Sequence, residues 1–181
     1  MSRIPIPATE QAPSAAQPLL ASAEKLGTVP NLLRILANSP AALEAYLGFS
    51  GALAKGALDA ATRERVALAV AEVNGCDYCL SAHTYLARKV AKLDDAEITA
   101  NRSGASNDMK ADAAVRFAAK LARERGRVSE ADIAAVKRAG YSDAELVEII
   151  AHVALSLLTN TVNVALKTDI DFPRVAARKA D

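Results

Sequence analysis

The chain has 181 residues, and its 22 basic and 21 acidic residues leave a formal net charge of +1. Its length fits one domain, and a composition of 51% hydrophobic and 24% charged residues excludes a disordered chain. The charge balance excludes the clustered positive field of a nucleic-acid-binding or membrane-surface protein. No apolar run approaches the ~18 residues of a membrane span, and the first seven residues contain no apolar signal core. We therefore expect a cytoplasmic protein.

The predicted elements are all helical. Six of the seven prolines lie between residues 5 and 40, which leaves a long proline-free body suited to continuous helices. Capping and stop signals predict helices over 31–37, 41–55, 60–74, 76–91, a short segment after 94, 108–125, a segment from 129, 146–158 and a last stretch over 160–166. We predict an all-α fold with an N-terminal arm (1–17), one compact helical domain (18–174) and a C-terminal tail (175–181).

A single Cys-x-x-Cys pair, Cys76 and Cys79, contains both cysteines of the chain. A secreted disulfide scaffold would spread more cysteines through a shorter chain. A loop of two intervening residues is also too small to stabilise a fold much through chain entropy. The pair therefore indicates redox chemistry or metal binding, and the plain alternative is two buried small side chains.

Three potential catalytic side chains can share one face of a helix. Cys79 and His83 are one turn apart, and Cys76 lies about 60° around the helix from Cys79. Free N–H groups and the helix dipole in the first turn favour a thiolate there. His83 can accept the thiol proton, and Glu64, one helix earlier, can orient the imidazole if the two helices run antiparallel. These four residues are the candidate catalytic residues.

The same residues have two other interpretations. A closed zinc site needs four ligands; Cys76, Cys79 and His83 would supply three and Glu64 the fourth, but three ligands on one helix face are untypical of such a site. Glu64 taken alone is typical of an exposed helix carboxylate. His152 lies in an apolar run and is interpreted as a core histidine outside the site.

The motif resembles a known family, the alkylhydroperoxidase D family, which is the peroxidase-type branch of the carboxymuconolactone decarboxylase superfamily. The spacing that carries the resemblance is Glu64, eleven residues, Cys76, two residues, Cys79, three residues, His83. Further similarity lies in the strings at 74–83, 29–33, 160–163 and 169–173, so the resemblance covers most of residues 28–174.

The resemblance implies an all-helical fold that assembles into trimers or hexamers. It also implies a thiol-based peroxidase that uses no metal, haem or other cofactor. In such a reaction a thiolate attacks a hydroperoxide, becomes a sulfenic acid and condenses with the second cysteine to a disulfide. The implied partners are an organic hydroperoxide and a dithiol reductant, such as a lipoyl-bearing protein, with neither nucleic acid nor membrane.

The position of each cysteine in the motif assigns Cys79 as the attacking thiol and Cys76 as the resolving one, although the helix-terminus argument alone favours Cys76. Tyr78 departs from the family pattern, since a histidine can stand there, so the peroxidase rate and the reductant stay open. Asn160 and Asn163 are interpreted as structural. The alternatives are a decarboxylase-like enzyme acting on a small carboxylate or lactone, and a non-enzymatic metal-binding or structural oligomer.

Overall fold

The computed structural model describes residues 1–25 and 27–178. Within these ranges the chain forms one 3-10 turn (Thr9–Gln11), nine α-helices and no β-strand, which confirms the predicted all-α fold. The helices are α1 (Gln17–Glu24), α2 (Asn31–Leu36), α3 (Pro40–Leu53), α4 (Ala60–Val73), α5 (Asp77–Lys89), α6 (Asp95–Arg102), α7 (Met109–Arg123), α8 (Glu130–Arg138) and α9 (Asp143–Leu166).

Helix α4 is the centre of the molecule and packs against α5, α6, α7 and α9. Its residues 66–71 are all buried, so this helix is surrounded rather than amphipathic. The largest core lies between α4, α7 and α9 and includes Val66, Phe117 and Ile149. A second core, around Leu68 and Leu80, contains both cysteines. The candidate motif therefore lies inside the packed body of the domain.

Side-chain caps fix where most helices begin. The capping box predicted from Ser142 and Glu145 is present at the start of α9. Asp94 also caps α6 by accepting a hydrogen bond of 2.8 Å from the backbone N–H of Glu97. The spacing of these two residues also predicts a box at α6, but the Glu97 carboxylate turns inward instead and accepts a hydrogen bond from Arg65.

Two helices differ from the sequence-based expectation. Helix α1 was not predicted, because its short sequence has a weak apolar pattern between two prolines. Helix α9 is one continuous helix of 24 residues, whereas the polar residues near Asn160 suggested two segments. Those polar side chains face the interior, because Ser156, Asn160 and Asn163 are all buried.

The continuity of α9 also bears on one conclusion drawn from composition. Although polar residues interrupt every apolar run in it, α9 is long and apolar enough on average to cross a membrane. The core helix of a compact protein meets the same criterion. Here α9 packs against α3, α4, α5, α7 and α8.

The N-terminal segment and residues 168–178 are held against the helical body. Near the N-terminus, the N–H of Arg3 donates to the carbonyl of Leu166 across 2.8 Å, and Ala16 is fully buried. Residues 168–178, here called the C-terminal strap, run back over the start of α5, where the N–H of Val175 donates to Ser81. The division into arm, domain and tail stays a prediction, and residues 179–181 of the tail lie outside the described residues.

Candidate active site

The turn between α4 and α5 places the first cysteine. Asn74 is the C-cap of α4, and Gly75 follows with a φ of +63°, a left-handed conformation that glycine adopts without a steric penalty. The N–H of Gly75 donates to the backbone carbonyl of Glu72 across 3.1 Å, and the N–H of Cys76 donates to the backbone carbonyl of Ala71 across 3.0 Å. These are the two hydrogen bonds of a Schellman motif. The predicted stop at residues 74 and 75 is therefore present, and it sets Cys76 at the N-cap of α5.

The two cysteines form a disulfide across the first turn of α5, with their Cα atoms 5.3 Å apart. Both residues are buried, with exposed fractions of 1% and 3%. The N–H of Cys79 donates to Sγ of Cys76 across 3.2 Å. A side-chain donor, Nδ2 of Asn163 on α9, approaches Sγ of Cys79 to 3.4 Å. Each sulfur therefore has an N–H donor that could stabilise negative charge once the disulfide is reduced.

Glu64 and His83 are brought together by the antiparallel return of α5 against α4. Nδ1 of His83 lies 2.8 Å from Oε2 of Glu64, and both side chains are largely buried. The contact settles the position of Glu64, which on sequence alone is typical of an exposed carboxylate. Because the carboxylate holds Nδ1, the other ring nitrogen, Nε2, is left to exchange protons elsewhere.

His83 and Cys79 line the same cavity of about 120 Å³, here called the inner cavity. Its walls are mostly apolar and come from five parts of the chain. They include Pro30, Leu32, Ala82, Leu86 and Phe172, with Tyr46, Thr159 and Asn163 as polar members. A small molecule held there would meet the sulfur of Cys79 and the imidazole together.

Cys76 borders a different space. It lies on a wider cavity of about 710 Å³, here called the outer groove, whose walls are Met1, the start of α5, the end of α9 and the C-terminal strap. Among the described residues, Cys76 lines the outer groove and not the inner cavity, and Cys79 lines the inner cavity and not the outer groove. The disulfide therefore forms part of the wall between two separate approaches.

Tyr78, between the cysteines, is held in place by contacts that take no part in proton transfer. Its hydroxyl accepts a hydrogen bond of 3.0 Å from the N–H of Leu32, and its ring meets Phe172 edge-on with the centroids 5.9 Å apart. Burial raises the pKa of Tyr78 far above its ordinary value. The hydroxyl oxygen of Tyr78 therefore serves as an acceptor that joins α5 to α2.

Three further residues belong to the surroundings of the site, and sequence reasoning missed them. Asn163 was interpreted as structural but contacts Cys79, and Tyr46 lines the inner cavity. His152 was interpreted as a core histidine. It is buried, but it lines a polar cavity of about 280 Å³ next to Glu64 and His83. The only sequence signal was the run of polar residues along α9.

The buried surroundings of His152 disfavour its protonation. Burial lowers the pKa of His152, and the neighbouring Arg63 guanidinium lowers it further, while Glu148 and Glu64 oppose the shift. Nε2 of this imidazole is buried and has no hydrogen-bond partner in the described part of the chain.

The described side chains are not arranged as the zinc interpretation requires. Across residues 1–25 and 27–178, no group of three or more His, Cys, Asp or Glu side chains is disposed to hold a metal ion. The four predicted ligands instead form two pairs, the disulfide and the carboxylate–imidazole hydrogen bond.

Comparisons with known proteins place this arrangement in a family context. The profile of the Carboxymuconolactone decarboxylase family matches residues 40–124, a range that contains Glu64, both cysteines and His83. A search of curated proteins found no match.

Solved structures share nearly the whole fold. An alkylhydroperoxidase AhpD core, an uncharacterized peroxidase-related protein from Ralstonia eutropha, is 26% identical, with a TM-score of 0.83 over 94% of this chain and 92% of that chain. An uncharacterized peroxidase-related protein from a Silicibacter species is also 26% identical, with a TM-score of 0.79 over 97% and 92% of the two chains. The debrominase Bmp8 is 21% identical, with a TM-score of 0.73 over 87% of each chain, a likeness that extends to the fold alone.

Proposed function

This chain belongs to the carboxymuconolactone decarboxylase superfamily, in its alkylhydroperoxidase D-like branch, and from that premise we propose that it is a thiol-dependent peroxidase that reduces organic hydroperoxides. The observation that carries the proposal is the Glu64–His83 hydrogen bond of 2.8 Å beside the cavity that also contains Cys79. A nucleophile, a base and a group that orients the base are what an activated thiol requires.

The oxidative step begins with the reduced dithiol. His83 accepts the proton of the Cys79 thiol while Glu64 stabilises the imidazolium. The thiolate attacks the distal oxygen of the hydroperoxide, so that an S–O bond forms and the O–O bond breaks. The alkoxide that leaves takes the proton from His83 and departs as an alcohol, and Cys79 becomes a sulfenic acid.

The resolving step makes the disulfide. The thiol of Cys76 attacks the sulfenic sulfur of Cys79, which forms the S–S bond and releases water. The proximity of the two sulfurs across one helical turn supports this step, because they bond without displacing the helix. The disulfide present in the structure would be the product of this half of the cycle.

An external dithiol would complete the cycle. One of its thiolates attacks Cys76, forms a mixed disulfide and releases Cys79; its second thiol then releases Cys76 and becomes oxidised itself. The outer groove supports attack on Cys76, because Cys76 and not Cys79 lines it. A lipoyl-bearing protein has the required dithiol on an extended arm. A cytoplasmic location would provide reducing conditions between turnovers.

Association into a trimer or hexamer is part of the proposal. Helix α9 carries three exposed apolar side chains that do not line the outer groove, with exposed fractions from 41% to 63%, namely Val147, Ile150 and Leu158. Exposed apolar surface on a core helix is typical of a contact with another subunit.

Thiol titration before and after one equivalent of an organic hydroperoxide tests the proposed function. The reduced wild-type protein should lose both thiols within the mixing time of a manual assay, and the Cys79→Ser variant should retain its single thiol. If the wild-type thiols persist, the peroxidase proposal fails. If the peroxide is consumed equally by Cys79→Ser, the attacking residue is wrong.

A further inference from the structure

The polar cavity next to the relay has an arginine in its wall that the peroxidase proposal does not use. It is lined by residues from α3, α4, α5 and α9, and it adjoins the inner cavity through shared walls. The shared residues are Tyr46, His83, Leu86 and Thr159. A molecule with its reactive end at Cys79 could therefore extend past the imidazole into this second space.

Arg63 is the cation in that wall. It precedes Glu64 on α4, is half-buried, and donates one hydrogen bond of 2.9 Å from Nη1 to the carbonyl of Ala54. In the described part of the chain, no carboxylate lies within 4.0 Å of its guanidinium. The other nitrogens of this group remain as donors, and a guanidinium presents its donors in the planar geometry that matches a carboxylate.

The acidic residues around this cavity are already engaged. Glu64 holds His83, and Glu148 accepts hydrogen bonds of 2.9 and 3.0 Å from the N–H groups of Ala57 and Leu58. Arg63 therefore has no carboxylate in direct contact, although the Glu64 carboxylate lines the same cavity. The positive charge of Arg63 lowers the pKa of His152 across the cavity, and the negative charges of Glu148 and Glu64 raise it.

From these contacts we propose that the polar cavity binds the carboxylate of the substrate, so that the preferred substrates are small organic hydroperoxides that carry a carboxylate at the end remote from the peroxide. Arg63 pairs with the carboxylate, and the hydroxyls of Ser50 and Ser156 lie in the same walls. The apolar middle of the substrate passes Leu86 and Tyr46, and its peroxide end lies in the inner cavity at Cys79. A single guanidinium without a nest of backbone N–H groups fits a monoanion rather than a phosphate.

The carboxylate site rests on the proposed peroxidase function for its chemistry, but binding can be tested without it. The probe is 4-isopropylbenzoate, which has a carboxylate and no peroxide, and the neutral comparison is 4-isopropylbenzamide. Calorimetric titration of the oxidised wild-type protein should show binding of the benzoate and much weaker binding of the benzamide. Arg63→Gln should weaken benzoate binding about tenfold or more, and Arg63→Lys should weaken it less.

Two further variants distinguish a specific loss of the carboxylate site from a general loss of structure. Ser50→Asp places a carboxylate in the lining of the same cavity and should abolish benzoate binding, because the new negative charge repels the benzoate and competes for Arg63. Arg116→Gln removes an exposed arginine that pairs with Asp112 on α7 and should leave benzoate binding unchanged. Equal benzoate affinity in the wild type, Arg63→Gln and Ser50→Asp would overturn the carboxylate site.

A substrate pair links the site to turnover. Cumene hydroperoxide and its para-carboxylate differ only in the anionic group, and the ratio of their kcat/KM values should favour the carboxylate in the wild type and fall about tenfold in Arg63→Gln. Arg63-dependent binding of benzoate without oxidation of the dithiol by either peroxide would sink the peroxidase function and leave the anion site standing. Oxidation of the dithiol by both peroxides at the same rate, with no Arg63-dependent binding of benzoate, would support the peroxidase function and overturn the carboxylate site.

Discussion

The side-chain amide of Asn163 donates to the sulfur of Cys79 across 3.4 Å, from a helix 84 residues further along the chain. Both residues are buried, so the hydrogen bond is shielded from water and helps to set the charge that the sulfur can carry. It ties α9 to the motif on α5 and gives the long central helix a chemical as well as a packing role.

Removal of this donor should slow the reaction of the reduced dithiol. We expect Asn163→Ala to react with a hydroperoxide at neutral pH about three- to tenfold more slowly, the effect of one lost hydrogen bond of ~1 kcal/mol to the thiolate. Stopped-flow measurement of thiol oxidation gives the rate. The control is Asn160→Ala, one turn away, since Asn160 accepts a hydrogen bond from Asn74 and does not contact the sulfur. Equal rates in the two variants would contradict the role given to Asn163.

Loss of the base should have a larger effect than loss of the group that orients it. His83→Ala should lower the rate of Cys79 oxidation about a hundredfold or more, the usual contribution of a general base. Glu64→Gln should lower it about tenfold, because the amide can still hold Nδ1 without stabilising the imidazolium. Lys89→Ala, an exposed change on the same helix, is the control. A Glu64→Gln variant slower than His83→Ala would contradict the order of the relay.

The two cavities should separate the two halves of the catalytic cycle. Ala82→Leu narrows the inner cavity and should slow oxidation by a bulky hydroperoxide several-fold more than reduction of the disulfide by a dithiol. Val164→Trp crowds the outer groove from an exposed position and should affect reduction more than oxidation. Single-turnover kinetics measure each half separately. If both variants slow the same half of the catalytic cycle, the hydroperoxide and the dithiol reach the two cysteines from one side, and the account of two cavities is wrong.

Glu97 anchors the loop after α6 to α4 and should make stability depend on acid. Its carboxylate accepts hydrogen bonds of 2.5 to 2.9 Å from Arg65, Asn101, Ser106 and the N–H of Asn107. Burial alone would raise the pKa of Glu97, but these donors outweigh burial and lower the pKa from 4.5 to about 2. The lowered pKa means that the stabilisation is complete above pH 4.5 and is lost as the pH falls towards 2.

Glu97→Gln should lower the free energy of unfolding by about 2–3 kcal/mol at neutral pH. It should also flatten the loss of stability of the wild type between pH 4.5 and 2. Urea unfolding at several pH values measures both effects. Asp95→Asn, an exposed change on the same helix, should change stability little. A Glu97→Gln variant with the pH profile of the wild type would assign the acid sensitivity to other groups.

Local signals in the sequence were enough to predict most of the fold. Capping residues such as Asp59 and Ser142 accept hydrogen bonds from the first turns of their helices, and the Asn74–Gly75 turn ends α4 as predicted. The single helix α9 could not be predicted, because whether buried polar residues interrupt a helix depends on partners from other elements. Asn160 is tolerated within α9 because it pairs with Asn74.

Part of the candidate site could also be predicted from the sequence, and part of it could not. Glu64, Cys76, Cys79 and His83 are close in sequence, and one antiparallel turn is sufficient to bring the carboxylate to the imidazole. Asn163 is brought to the site by tertiary packing, and the sequence around it does not show that it contacts Cys79. Arg63 is next to Glu64 in the sequence, but the cavity that it lines is formed only when α3, α4, α5 and α9 pack together. The separation of the two cysteines between two cavities also depends on where the C-terminal strap and α9 close over α5.

The central claim is that Cys79 is the sulfur that a hydroperoxide oxidises. Trapping of the sulfenic acid with dimedone, followed by peptide mass spectrometry, tests it directly in two single-cysteine variants. The Cys76→Ser variant cannot form the disulfide and should accumulate a dimedone adduct on Cys79 after one equivalent of cumene hydroperoxide. An adduct that forms on Cys76 in the Cys79→Ser variant, with none on Cys79 in Cys76→Ser, would contradict the account.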